Sequence, residues 1–157
     1  MKINKLSMVM LLSGTLFFQA ADKKEIVAEQ NQSEMVAAGV LQQMPANVKN
    51  FLAKYYPKAT VAKYESKTTL AGKKYEVKLN NGAEIDFDKN GNWEEISDKQ
   101  GVNPVLIPAK IKTYLDQKYR GIKVESIDKD DNKIKIDLIN DIDLEFDKSG
   151  NFLRIDQ

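Results

Sequence analysis

The sequence predicts an α+β protein built as a tandem repeat, each copy one helix followed by a four-stranded antiparallel meander. Three observations predict it. PANVKNFLAKYY at 45–56 returns as PAKIKTYLDQKY at 108–119. EIDFDKNGNW at 84–93 returns as DLEFDKSGNF at 143–152. Between the two pairs of blocks, strictly alternating apolar and polar residues mark strands with one buried face.

Each helix is expected first in its copy. Pro45 and Pro108 suit a first helical turn, where a missing N–H costs nothing. Val48, Phe51, Leu52 and Tyr55 fall at i, i+3, i+4 and i+7, a single apolar stripe, and Ile111, Tyr114, Leu115 and Tyr119 do nearly the same. Pro57 ends the first helix and Gly121 the second.

Four strands should follow each helix. A short one is expected over 61–66 and again over 123–128. Next comes Tyr75, Val77 and Leu79 alternating with Lys74, Glu76 and Lys78, then Ile85 and Phe87 alternating with Glu84, Asp86 and Asp88. The second copy offers Ile134, Ile136 and Leu138, then Ile142, Leu144 and Phe146. A last strand closes each copy, over 93–96 and 152–155. Asn81-Gly82 and Asn90-Gly91 are turn signals. A three-residue loop centred on Gly82 would set Leu79 against Ile85, Val77 against Phe87 and Lys78 against Asp86. The same register in the second copy sets Asp137 against Glu145. The offset between copies drops from 63 to 59, so the second copy should have a loop four residues shorter near 68–73. A copy of about 50 residues is marginal alone, so the two should share a sheet or an apolar junction.

The organisation expected is therefore a signal peptide over 1–21, an N-terminal tether over 22–43, one copy over 44–97, a linker over 98–107 and a second copy over 108–157. The signal reading rests on Lys2 and Lys5 before an apolar run from Leu6 to Phe18, then small residues at 20–21 and a sharply polar DKKE. The run is short for a membrane span, so none is expected after cleavage. A periplasmic or otherwise exported protein follows. With no cysteine near the signal it would not be a lipoprotein.

Composition narrows the chemistry. The 157 residues contain no Cys and no His, with 24 Lys+Arg against 23 Asp+Glu. Thiol nucleophiles, imidazole bases and the usual zinc, copper and haem ligand sets are missing. No cofactor and no enzymatic activity are expected. Without a strong positive field, nucleic acid is not an expected partner.

Two groups of polar residues remain as candidates. Lys78, Glu84, Asp86, Asp137, Asp143 and Glu145 should share the polar face of the sheet and could bind a partner. Asp86, Asp88 and Asn90 have the spacing that opens a calcium loop, though Ser97 stands where a bidentate Glu would close it. A β-turn with a left-handed glycine accounts for the same residues without metal.

The repeated pattern of a helix ending in Tyr-Tyr-Pro, then Tyr-Glu-Val, Gly82, Ile85, Phe87-Asp88, Gly91, Trp93 and Ile96, resembles the PepSY-like, β-lactamase-inhibitor-like exported proteins. The likeness covers about 44–156 and is weaker in the second copy, where Asn140-Asp141 replaces Asn81-Gly82 and Phe152 replaces Trp93. It implies a tandem helix-plus-sheet fold like the β-lactamase inhibitor protein, with an exposed sheet surface and no catalytic motif. The expected function is a non-catalytic binding module acting on another envelope or secreted protein, as an inhibitor or accessory factor. The alternative is a protein that binds calcium or a small ligand.

Overall fold

Alternation of apolar and polar residues becomes one antiparallel sheet whose eight strands lie side by side in chain order. The computed structural model describes Gly39 and residues 41–156. The expected signal peptide and nearly all of the expected tether lie outside the described residues. Met44–Gln157 forms one compact unit, and the description below concerns it.

Helix α1 (Ala46–Tyr55) precedes β1 (Val61–Thr69), β2 (Gly72–Leu79), β3 (Glu84–Phe87) and β4 (Trp93–Ser97). Helix α2 (Ala109–Lys118) precedes β5 (Val124–Lys129), β6 (Lys133–Leu138), β7 (Ile142–Asp147) and β8 (Phe152–Asp156). Both helices start right after the proline, whose carbonyl takes the first intrahelical bond, from Lys49 N at 3.1 Å and from Lys112 N at 2.9 Å. The expected linker is a packed connection. A short 3-10 turn, Pro104–Leu106, runs through it, and Val102 and Leu106 are buried.

The shared core is a row of apolar side chains crossing the sheet. Val77, Ile85, Ile96, Ile127, Ile136, Leu144 and Ile155 stand opposite one another from strand to strand. The first six are buried to within a per cent of completely. The helices cover the same face. Phe51 meets Phe87 edge-on with ring centres 5.3 Å apart, and Tyr114 meets Phe146 likewise at 5.4 Å. The β4–β5 pairing carries the row from one half to the other and supplies the junction that such small halves need.

Two expectations need correction. The hairpin register is displaced by two residues. Val77 faces Ile85, Tyr75 faces Phe87, and Lys78 faces Glu84 rather than Asp86. Asp137 faces Asp143, and it is Lys135 that faces Glu145. Gly82 closes the loop instead of centring it. Leu79 N donates to Ala83 O at 2.8 Å, and Gly82 takes the left-handed position at φ 91°. A shift of two preserves which face each side chain occupies, so the apolar pattern alone could not resolve it. In the second half Asp141 takes that position, at φ 60°.

The extra four residues of the first half form no longer loop. They lengthen a hairpin, since β1 and β2 have nine and eight residues where β5 and β6 have six each.

The Asp-Lys-Xaa-Gly turns dock on the helix starts. A Cβ added to Gly91 (φ 78°) would come 2.8 Å from the Asn47 Cβ, and one on Gly150 (φ 77°) 3.1 Å from the Lys110 Cβ. Glycine is required there both for its left-handed backbone and for the close approach. Asn47 Nδ2 donates to Asn90 O at 2.8 Å and Lys110 Nζ donates to Asn151, tying each turn to its helix.

Candidate functional site on the polar face of the sheet

Strand parity sends every second side chain to the face away from the helices. Antiparallel register then stacks these side chains into rows running across the sheet. One row reads Glu65, Glu76, Asp86, Glu95, Asp128, Lys135, Glu145, Arg154, each directly opposite the next. Its first five members are carboxylates. A parallel row reads Lys78, Glu84, Ser97, Ser126, Asp137, Asp143, Asp156. All six face residues expected from the sequence, Lys78, Glu84, Asp86, Asp137, Asp143 and Glu145, belong to these rows.

Charge compensation is uneven along them. At the first edge Lys67 Nζ lies 2.7 Å from Glu76, and Lys63 Nζ lies 2.9 Å from Glu65. Lys78 pairs with Glu84. At the far edge Glu145 is only 4% exposed, held between Lys133 and Arg154 Nε, the latter at 2.8 Å. The hydrogen bond from Lys133 is the main cause of its carboxyl lying below the usual range. Glu145 is thus a structural centre and is not open to a partner.

The middle of the face differs. Asp86, Glu95 and Asp128 make no ion pair among the described residues. Partial burial, reinforced by Glu76, raises the Asp86 carboxyl above its ordinary range. Glu95 is raised by burial and then by Asp128 and Asp86. Asp143 follows the same pattern, with Asp137 and Asp156 as neighbours. Directly opposed like charges destabilise a sheet, so this stretch is held against its own repulsion.

A hollow of about 390 Å³ opens over the middle, between Lys74, Asp86, Glu95, Asp128 and Lys129. Lys74 Nζ pairs with Glu94 at 2.6 Å on its rim. On the opposite, helix-covered face, Lys129 Nζ sits 3.1 Å from the centre of the Trp93 ring, a cation–π contact, and burial brings its amine down to about 8. A second hollow of about 290 Å³ lies over Ser126, Asp137, Asp143 and Asp156. The Ser126 hydroxyl donates to Asp137 there.

The turn with calcium-loop spacing is internally bonded. Asp88 Oδ1 accepts from the backbone N–H groups of Asn90 and Asn92, both at 2.8 Å, and Oδ2 accepts from Asn92 Nδ2 at 3.0 Å. Asp86 points instead to the sheet face, opposite Glu76 and Glu95. The structure therefore separates Asp86 from Asp88 and Asn90. No group of three acidic side chains within metal-holding distance occurs among the described residues.

Glu65, Glu76, Glu95 and Asp128 were not singled out from the sequence as members of this face. Their parity on each strand was legible. The β4–β5 register that aligns Asp86 and Glu95 with Asp128 was not, because no hairpin turn fixes a pairing across the packed linker.

The model of the family described as "Putative beta-lactamase-inhibitor-like, PepSY-like" matches residues 36–81 and 73–154. Among solved structures, the chain is 34% identical to a "putative calcium-regulated periplasmic protein" from Bacteroides thetaiotaomicron, with TM-score 0.70, covering 74% of this chain and 92% of that one. It is 30% identical to a "putative periplasmic protein" of the DUF2874 family from Bacteroides vulgatus, with TM-score 0.70 and coverage of 74% and 92%. A further Bacteroides vulgatus periplasmic protein of unknown function is 27% identical, with TM-score 0.71 and coverage of 74% and 94%. No curated protein matches. Among the described residues, no helix is long and apolar enough to cross a membrane. By the extent of these matches, the chain belongs to the putative beta-lactamase-inhibitor-like, PepSY-like family.

Proposed function

We propose that the chain is an exported, non-catalytic binding module made of two copies of one helix-plus-meander unit. Its working surface is the middle of the polar sheet face, and it acts as an inhibitor or accessory factor of an envelope enzyme. The observation that carries this reading is the run Asp86–Glu95–Asp128, without ion pairs among the described residues, at the inner end of a row of five carboxylates. A sheet keeps such a run at a cost to its stability, and a cationic partner would remove that cost on binding. The chemistry points to a protein loop rich in Lys or Arg. The notable absences of Cys and His and the periplasmic relatives are consistent with it.

The test is capture from periplasmic extract at low and at physiological salt, with the native chain and with a Glu95→Lys, Asp128→Lys variant side by side. The expected result is one envelope enzyme retained by the native chain, released by added salt and not retained by the variant. If both chains retain the same proteins, the acidic face is not the working surface. If the purified chain itself turns over an envelope substrate, and a carboxylate substitution abolishes that, the non-catalytic reading fails.

One observation favours a second reading, calcium binding: the relative described as calcium-regulated is 34% identical. The turn residues Asp86, Asp88 and Asn90 do not converge, so calcium would have to bind on the face, at the neighbouring carboxylates Asp137, Asp143 and Asp156 with their side chains drawn together. Binding to the folded state must raise the melting midpoint, by about 2.7 kcal/mol of stabilisation at one hundred times the dissociation constant. An unchanged midpoint in millimolar calcium removes this reading.

A further inference from the structure

The sheet has an open end at β8, and its nature is clearest beside β4, the strand that stands 59 positions earlier. β5 is laid along the outer edge of β4, placing Ile127 opposite Ile96, and Ile96 is fully buried. Ile155 holds the place of Ile96 in β8 and is 50% exposed, and no strand among the described residues lies beyond it. Phe152 and Leu153 are exposed beside it, at 37% and 54%. Where β4 carries Glu94 and Glu95, β8 carries Leu153 and Arg154. Edge strands are commonly guarded by lysine, proline or a bulge that turns them away. β8 has a bulge at Leu153, where its pairing with β7 shifts, but beyond it runs a regular Arg-Ile-Asp stretch with Ile155 exposed.

We propose that β8 pairs antiparallel with β8 of a second copy of this chain, about a twofold axis at Ile155. With the axis there, Ile155 meets Ile155 of the partner subunit on the core face, as Ile96 meets Ile127 within the chain. Arg154 then faces the partner's Asp156 on the polar face, and Asp156 faces the partner's Arg154. Arg154 is poised for this exchange. Its Nε is fixed on Glu145 at 2.8 Å, while its Nη2 reaches its own Asp156 at only 3.4 Å.

Other registers are worse. An axis at Arg154 opposes two guanidinium groups. A slip that joins residues of unlike parity puts Ile155 on the polar face. The self-complementarity of Arg154 and Asp156 around one apolar residue therefore selects a second copy as occupant, through an isologous and closed interface. The apolar row of the core would continue without a break from one protomer into the next.

The chain has no cysteine, so a single introduced thiol reports on the axis. Residues directly opposed across antiparallel strands have Cα atoms about 4.5–5.5 Å apart, within disulfide range. We expect Ile155→Cys to form an intermolecular disulfide in dilute solution at least about tenfold faster than Val105→Cys, which is 76% exposed and far along the chain. Sedimentation velocity should show a dimer for the native chain at high micromolar concentration and a monomer for Ile155→Lys. Asp156→Arg should weaken the dimer by about tenfold or more, since it opposes like charges. A native chain that sediments as a monomer, an Ile155→Lys chain that remains dimeric, or equal cross-linking by the two thiols would each overturn the proposal. Should Ile155→Lys fail to fold, the cross-linking rates decide alone.

Discussion

The first and second halves of the sheet answer the same sequence pattern but leave their last strands with different degrees of closure. The first half has its open edge at β1, and its last strand, β4, is covered on the outer side by β5. In the second half β8 ends the sheet, and the residue equivalent to a fully buried isoleucine is half exposed. Charge is distributed in the opposite sense. The exposed end is the better neutralised, with Glu145 held by Lys133 and Arg154, whereas the covered middle keeps Asp86, Glu95 and Asp128 without ion pairs. Burial of the apolar row and neutralisation of the polar face are thus set separately, the first by strand neighbours and the second by which charges the register brings together.

Removing one isoleucine from each half breaks the comparison most strongly. Ile96→Ala should cost about 3 kcal/mol, since it empties a filled site between β3 and β5. Ile155→Ala in a monomeric background should cost less than about 1 kcal/mol, because its side chain is already half in water. Urea denaturation of both variants measures the difference, and equal losses would mean that β8 is covered in solution.

The turns come next. Gly91→Ala combines a left-handed backbone with a contact at 2.8 Å, and should cost about 2 kcal/mol or more. Gly150→Ala meets its nearest atom at 3.1 Å and should cost somewhat less. Thermal denaturation of the pair gives the order.

A smaller effect separates the two helix ends. The hydroxyl of Tyr56 is buried without a hydrogen-bond partner, and burial, helped by Asp98, pushes its phenol up to about 12. The folded state therefore favours the neutral phenol. That contribution is fully present below the ordinary value of 10.0 and is lost as pH rises through about 12. Tyr56→Phe should raise stability by about 1 kcal/mol at neutral pH and remove part of the alkaline unfolding. Tyr119→Phe, at the half-buried equivalent, should change little. A pH series of melts reads both.

The smallest expected effect is on the acidic row. Asp86→Asn should stabilise the chain by about 0.5 kcal/mol at neutral pH, by relieving the repulsion from Glu76 and Glu95. Because the Asp86 carboxyl is raised in the folded state, the native chain regains that difference as pH falls into the carboxylate range, and the gain should shrink there. Glu145→Gln should do the reverse and lower the midpoint, since its carboxyl lies below the usual range. Gains of one sign for both would mean that the two positions do not differ in compensation.

How far the sequence reached follows from these residues. Period-two alternation around Val77, Ile85, Ile136 and Leu144 put them on the buried face, because side-chain direction along a strand is a local property. The helix stripes and the turn glycines were legible for the same reason. The polar set Lys78, Glu84, Asp86, Asp137, Asp143 and Glu145 was rightly placed on one face. Its internal pairing was not, because a shift of two residues leaves the apolar pattern intact and only the loop hydrogen bonds distinguish the registers. Tertiary structure alone decided that Glu95 lines up with Asp128 across the packed linker, that Glu145 is enclosed while Asp86 is only half-buried, and that β4 is covered while β8 has no strand beyond it among the described residues. Each of these depends on which strand lies next to which. That is settled by where the chain comes back on itself, not by the residues of any one strand.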